Sequence, residues 1–136
     1  MYKILLVDDE HLSRDMLATY VEGLLGYKVI QARSGDEAFE IFNSDDFPIV
    51  LSDIKMPGMN GLDLLKAIKA TPKGKQTRVI LFTGFAQVET AVQALRDGAY
   101  DYLFKPIDVN RLGELIRQIQ SEIENSSEPV PTSGDN

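Results

Sequence analysis

Residues 49–61 read Ile49-Val50-Leu51-Ser52-Asp53-Ile54-Lys55-Met56-Pro57-Gly58-Met59-Asn60-Gly61. A short apolar run entered through Pro48 and left through a loop holding Pro57, Gly58 and Gly61 has the pattern of a buried central strand. It carries Asp53 to its C-terminal tip. In an open parallel α/β sheet, ligands bind outside the carboxyl ends of the strands, so a carboxylate at that edge is a candidate for chemistry. Taken alone, an Asp there serves as readily to cap the next turn.

On the N-terminal side, Lys3-Ile4-Leu5-Leu6-Val7 is a second continuous apolar run, the mark of a strand covered on both faces, and it ends at Asp8-Asp9-Glu10. Lys28-Val29-Ile30-Gln31-Ala32 is a shorter strand. On the C-terminal side, Arg78 to Thr83 forms a strand closed by a hydroxyl and Gly84, and Tyr102-Leu103-Phe104-Lys105-Pro106 forms a last strand with a lysine at its tip. Helices fill the intervals. Met16, Leu17, Tyr20, Val21, Leu24 and Leu25 recur at helical spacing from Leu12 onward, and Gly26 stands where a glycine would stop that helix. Ser34 and Glu37 have the spacing of a capping box for a helix running to about Asn43. Leu62, Leu64, Leu65 and Ile68 mark a third helix, and Ala91, Val92, Ala94 and Leu95 a fourth, closed by Gly98. Asp108 can cap a fifth, in which Leu112, Leu115, Ile116, Ile119 and Ile123 keep an i, i+3, i+4 rhythm. Strands and helices alternating five times predict an α/β domain, a doubly wound five-stranded parallel sheet with right-handed crossovers, over residues 1–124. Residues 125–136 hold Ser, Pro, Asn and Gly without a core residue and are expected to be a disordered tail or the start of a linker.

A chain of 136 residues suits one domain with a real core, and 43% apolar with 26% charged residues is the balance of a soluble globular protein. The net charge of −7 argues against direct nucleic acid binding by this segment, since phosphate contacts need clustered Lys and Arg. The absence of Cys excludes disulfides and thiolate chemistry. No long apolar stretch suggests a signal peptide or a membrane span, so a cytoplasmic protein without membrane contact is expected.

Asp8, Asp9, Asp53, Thr83 and Lys105 all follow apolar strand runs, and in this architecture the strand tips meet at one edge. Carboxylates held together repel unless a cation offsets them. Hard oxygen donors without His or Cys point to Mg²⁺. A carboxylate nucleophile, a metal, a lysine and a hydroxyl together make sense as phosphoryl chemistry. His11, beside the acids, reads as a solvated helix-start residue, and Met56 and Met59 as packing.

Asp8-Asp9-Glu10, Asp53 to Gly61, Thr83-Gly84 and Tyr102 to Pro106 together resemble the receiver domain of two-component response regulators over residues 3–124. The resemblance implies a flavodoxin-like sheet of strand order 2-1-3-4-5. It makes Asp53 the phosphoacceptor for a sensor histidine kinase or phosphotransfer protein. Asp8, Asp9, Asp53 and the backbone carbonyl of Lys55 would hold Mg²⁺. Lys105 and Thr83 would bind the phosphoryl oxygens, Thr83 and Tyr102 would act as the switch, and Lys105-Pro106 would be a cis peptide. Lys55 and Phe85 occupy the two flanking positions that vary among receivers, and a bulky Phe85 is expected to hinder the water that hydrolyses the phosphoryl group. The resemblance also implies no enzymatic activity beyond the domain's own phosphorylation and dephosphorylation. Output is expected through the face of the fourth helix, fifth strand and fifth helix, as a possible homodimer or a partner contact. Gly98 to Pro106 is most similar to receivers of σ54-dependent activators or hybrid kinases.

A haloacid-dehalogenase-like phosphatase is the nearest enzymatic alternative, but it requires a second Asp where Lys55 stands. A flavin-binding module conflicts with Asp8-Asp9-Glu10, which would repel a phosphate. An unphosphorylated pseudo-receiver would not need the complete residue set.

Overall fold

The computed structural model describes residues 2–84 and 88–127. Strands β1 (Lys3–Val7), β2 (Lys28–Ala32), β3 (Ile49–Asp53), β4 (Arg78–Thr83) and β5 (Asp101–Phe104) alternate with helices α1 (His11–Leu25), α2 (Gly35–Ser44), α3 (Gly61–Lys69), α4 (Val88–Arg96) and α5 (Val109–Ser127). The strands form one parallel sheet in the order β2-β1-β3-β4-β5.

The continuous apolar runs are explained by burial on both faces. In β1, Leu5 and Val7 point into one core with Phe42, Leu64, Leu65, Ile68 and Ala94, so α2, α3 and α4 cover that face. Ile4 and Leu6 point the other way, into a core with Ala18, Val21, Leu112, Leu115, Ile116 and Ile119, so α1 and α5 cover the opposite face. Each fully buried Leu, Ile or Phe contributes about 1.5–3 kcal/mol relative to exposure.

The helix boundaries follow from their ends. Gly26 terminates α1 in the left-handed region at φ 76°. Ser34 accepts the N–H of Glu37 at the start of α2, but the Glu37 carboxylate takes the N–H of Arg33, so the expected box closes one residue early. Asn60 and Asp63 form a reciprocal capping box on α3, and Asp108 accepts the N–H groups of Asn110 and Arg111 on α5. That last helix runs three residues past Glu124, to Ser127.

Two apolar assignments differ from the sequence pattern. Met16 is 66% exposed, because α1 is phased by Ala18 and Val21 against the sheet and residue 16 lies roughly 160° round the helix from Ala18. In α4 the small Ala94 faces the core, and Val92 and Leu95 stand 42% and 53% exposed. Strand β5 ends at Phe104, one residue before Lys105; Pro106, joined to it by a cis peptide bond, has no N–H to extend the ladder. Among the described residues no helix is long and apolar enough to cross a membrane.

Candidate functional site

Strand pairing alone brings the candidate residues to one edge. The registers pair Val7 with Ser52 and Asp53 with Phe82, so Asp8, Asp53 and Thr83 leave three adjacent strands at nearly the same height. Ladder bonds just beyond the strands hold these tips: Asp8 N–H to the Ala32 carbonyl at 3.1 Å, Ile54 N–H to Phe82 at 3.0 Å and Lys105 N–H to Thr83 at 2.7 Å. The backbone of Asp53 is fixed further by the Ser52 hydroxyl, which donates to its carbonyl at 2.8 Å, and by Gly61, whose N–H donates to Ile54 at 2.9 Å. Only a glycine fits there, since a Cβ on residue 61 would stand 2.3 Å from the Asp53 carbonyl oxygen.

Carboxylate oxygens of Asp8, Asp9 and Asp53 all lie within 4.8 Å of one another. Asp8 and Asp53 are 2% and 6% exposed, whereas Asp9 is exposed. The Lys105 ammonium donates to Asp53 Oδ2 at 2.7 Å and stands 4.0 Å from Asp8 Oδ2 and 5.5 Å from the centre of the Phe82 ring. Burial pushes the Asp8 carboxyl above its ordinary pKa; the Glu10 N–H and Lys105 oppose the rise, and Asp53 and Asp9 add to it. Burial disfavours the charged form of Lys105, but its bond to Asp53 and the field of Asp53, Asp8 and Glu10 outweigh that and hold its pKa above the usual lysine value. One ammonium thus faces three acids, and the residual negative charge suits a hard divalent cation with oxygen ligands.

Asp9, Glu10, Asp53, Lys55 and Gly84 line a hollow of about 270 Å³ over the cluster. Lys55, Thr83, Asn60, Thr90 and Tyr102 line a second one of about 410 Å³. Thr83 and Tyr102 therefore open on a common space next to the acids. Tyr102 is buried with its ring edge-on to Phe104 at 5.4 Å, and its hydroxyl has no hydrogen-bond partner among the described residues. Phe85 lies outside the described residues.

Some contributors had no assigned role in the sequence pattern. Arg14 reaches back from α1 to donate to the Asp8 carbonyl at 2.8 Å, a contact with no local signature. Ser52 and Gly61 act on the backbone of Asp53 rather than on its carboxylate, and Glu10 lines the hollow.

A family model described as the response regulator receiver domain matches residues 4–117. The chain belongs to this family. Such receiver domains are parts of two-component systems, and here the fold and the acidic edge agree with that membership. Among curated relatives, the receiver is 42% identical over 122 residues to the regulatory protein AtoC of Escherichia coli, covering 88% of this chain and 26% of that protein. It is 38% identical over 114 residues to the response regulator protein PilR of Pseudomonas aeruginosa, covering 84% of this chain and 25% of that protein. The chain thus spans about a quarter of the length of these two relatives. Among solved structures, the chemotaxis protein CheY4 of Vibrio cholerae superposes with a TM-score of 0.80 at 28% identity, covering 88% of this chain and 98% of that one. A response regulator receiver domain protein from Clostridium thermocellum gives 0.82 at 30% identity, covering 91% and 98%.

Proposed function

We propose that this receiver takes a phosphoryl group onto Asp53 from the phosphohistidine of a sensor histidine kinase or phosphotransfer protein, in a Mg²⁺-dependent reaction. The observation that carries this reading is the Asp53 carboxylate at the tip of β3, bonded by Lys105 at 2.7 Å and held among carboxylate oxygens within 4.8 Å of one another. An Asp53 oxygen attacks phosphorus, the P–N bond breaks, and the imidazole leaves with the electron pair. Asp8, Asp9, Asp53 and the Lys55 carbonyl are the groups that would hold Mg²⁺, which when bound neutralises charge on the phosphoryl oxygens. Lys105 supplies a fixed cation to the same oxygens, and the Thr83 hydroxyl donates to them. Thr83 and Tyr102, lining one cavity, form the route by which the new charge is sensed.

The domain has no proposed activity beyond its own phosphorylation and dephosphorylation. Exposed Val92, Leu95, Phe104 and Val109 on α4, β5 and the start of α5 support that face as the output surface, for a homodimer or a partner. The relatives' greater length supports a setting inside a longer regulator, and membership of the receiver family supports a cytoplasmic location.

Intact mass after incubation with a small phosphodonor tests the reading. A single labile phosphoryl adduct on wild type with Mg²⁺, absent from Asp53→Asn and from the metal-free control, is expected. A folded wild type that gains no adduct would overturn it in favour of a constitutive interaction module.

A further inference from the structure

The end of the sheet opposite the acids carries a groove of about 800 Å³, within the size range of small-molecule sites. Lys69, Lys75 and Arg78 line it, with Glu122 as the one acid among the described lining residues. In a chain of net charge −7, this is a local reversal of sign. Glu122 is already engaged: one oxygen faces Arg78 at 3.8 Å, and the other accepts the Tyr100 hydroxyl at 3.0 Å. Among the described residues the two lysines bond carbonyls alone. Lys69 Nζ donates to Thr77 at 2.5 Å and Lys75 Nζ to Lys69 at 3.4 Å, and among the described residues neither is in a salt bridge.

Lys69 is the informative member. Its stem lies against Gly98, its ammonium is half-buried, and burial together with the Arg78 charge pushes its pKa down. A partly desolvated cation near a second one, with no carboxylate of its own among the described residues, is costly until an anion arrives. Two ammonium groups and a guanidinium around one hollow suit a group with several anionic oxygens. Next to it, sharing Gln76, Thr77, Arg78 and Ile123, lies a hollow of about 400 Å³ bordered by Tyr2, Phe42 and Phe47, with room for an apolar or flat extension.

We propose that this groove is a second ligand site, binding phosphate-bearing small molecules through Lys69, Lys75 and Arg78. It is separate from the acidic edge: β4 runs from Arg78 in the groove to Thr83 at the other end, about 17 Å at the rise of a strand. The groove therefore shares no lining residue with the hollow at Asp53.

Titration of the ¹⁵N-labelled chain with pyrophosphate, at constant ionic strength and without Mg²⁺, tests the site. Saturable shifts are expected at Thr77, Gly98 and Ala99, with affinity at least about tenfold weaker in the Lys69→Gln/Lys75→Gln double variant. The exposed-lysine control Lys28→Gln should titrate as wild type. ADP run in parallel separates a nucleotide from a free polyphosphate as the source, and saturation by either supports the site. Absence of saturation with both, equal shifts in the double variant, or saturation only by an Asp/Glu-rich peptide would overturn it.

Discussion

The α-carbon of Gly61 approaches the backbone carbonyl of Asp53 so closely that a Cβ would sit 2.3 Å from its oxygen and 2.8 Å from the α-carbon of Ile54. Neither atom can yield without moving the strand that carries the proposed phosphoacceptor. Gly61→Ala should therefore cost about 1–3 kcal/mol, as overpacking does, and should also slow phosphorylation of the folded fraction. Urea denaturation combined with intact mass checks both. Wild-type kinetics in a destabilised variant would show that the contact supports the fold only.

Lys105 neutralises part of a three-carboxylate cluster. Its replacement in Lys105→Ala leaves the acids more negative, so Mg²⁺ should bind several-fold tighter. The phosphoryl oxygens lose a charge-assisted partner, so transfer should slow at least about tenfold. Calorimetric Mg²⁺ titration and phosphorylation kinetics should move in these opposite directions.

The raised pKa of Asp8 has a definite sign for stability. Without metal, the folded chain binds this proton more tightly than the unfolded one, so the contribution is full below the ordinary value of 3.8 and is lost as pH rises through the raised value. At neutral pH the metal-free protein is expected to gain a few degrees in Tm on Asp8→Asn, because a carboxylate is removed from the cluster. Mg²⁺ should raise the Tm of wild type and leave that of Asp8→Asn almost unchanged. Thermal melts with and without Mg²⁺ measure both effects.

Tyr102 holds a buried hydroxyl without a partner among the described residues, and burial raises its pKa. Tyr102→Phe should stabilise the unphosphorylated domain by about 1 kcal/mol, since an unsatisfied polar atom is removed at nearly constant shape. A lower urea midpoint would show that the hydroxyl is satisfied in solution.

Asn60 and Asp63 close the start of α3 reciprocally, at 2.8 Å and 3.2 Å. Asn60→Ala should cost about 1 kcal/mol with an unchanged m-value, and amide exchange should rise first in the opening turn of α3.

The parallel sheet was legible because strands buried on both faces leave uninterrupted apolar runs, and the acids, hydroxyl and lysine could be placed by counting to the end of each run. The phase of α1 and α4 was not, because both helices turn a small residue, Ala18 or Ala94, to the sheet and leave larger apolar side chains outside. Pattern reading weights residue size, whereas close packing against a sheet rewards smallness. The Asn60–Asp63 cap went unread because it uses Asn and Asp in place of the more familiar Ser and Glu. Arg14 on Asp8 and the lysine groove have no local spacing at all; each is assembled from separate elements by the fold.

The sheet order also sets where the molecule is stiff. Strand β3 is bonded on both sides, to β1 and β4, and its tip is clamped from above by Gly61, whereas the outer strands β2 and β5 each pair with one neighbour among the described residues. A load applied at Asp53 therefore meets an anvil. Of the two outer strands, β5 carries Tyr102 and lies beside the strand that ends at Thr83, so the same strand order that clamps the proposed phosphoacceptor seats its proposed sensor on a margin with a single neighbour.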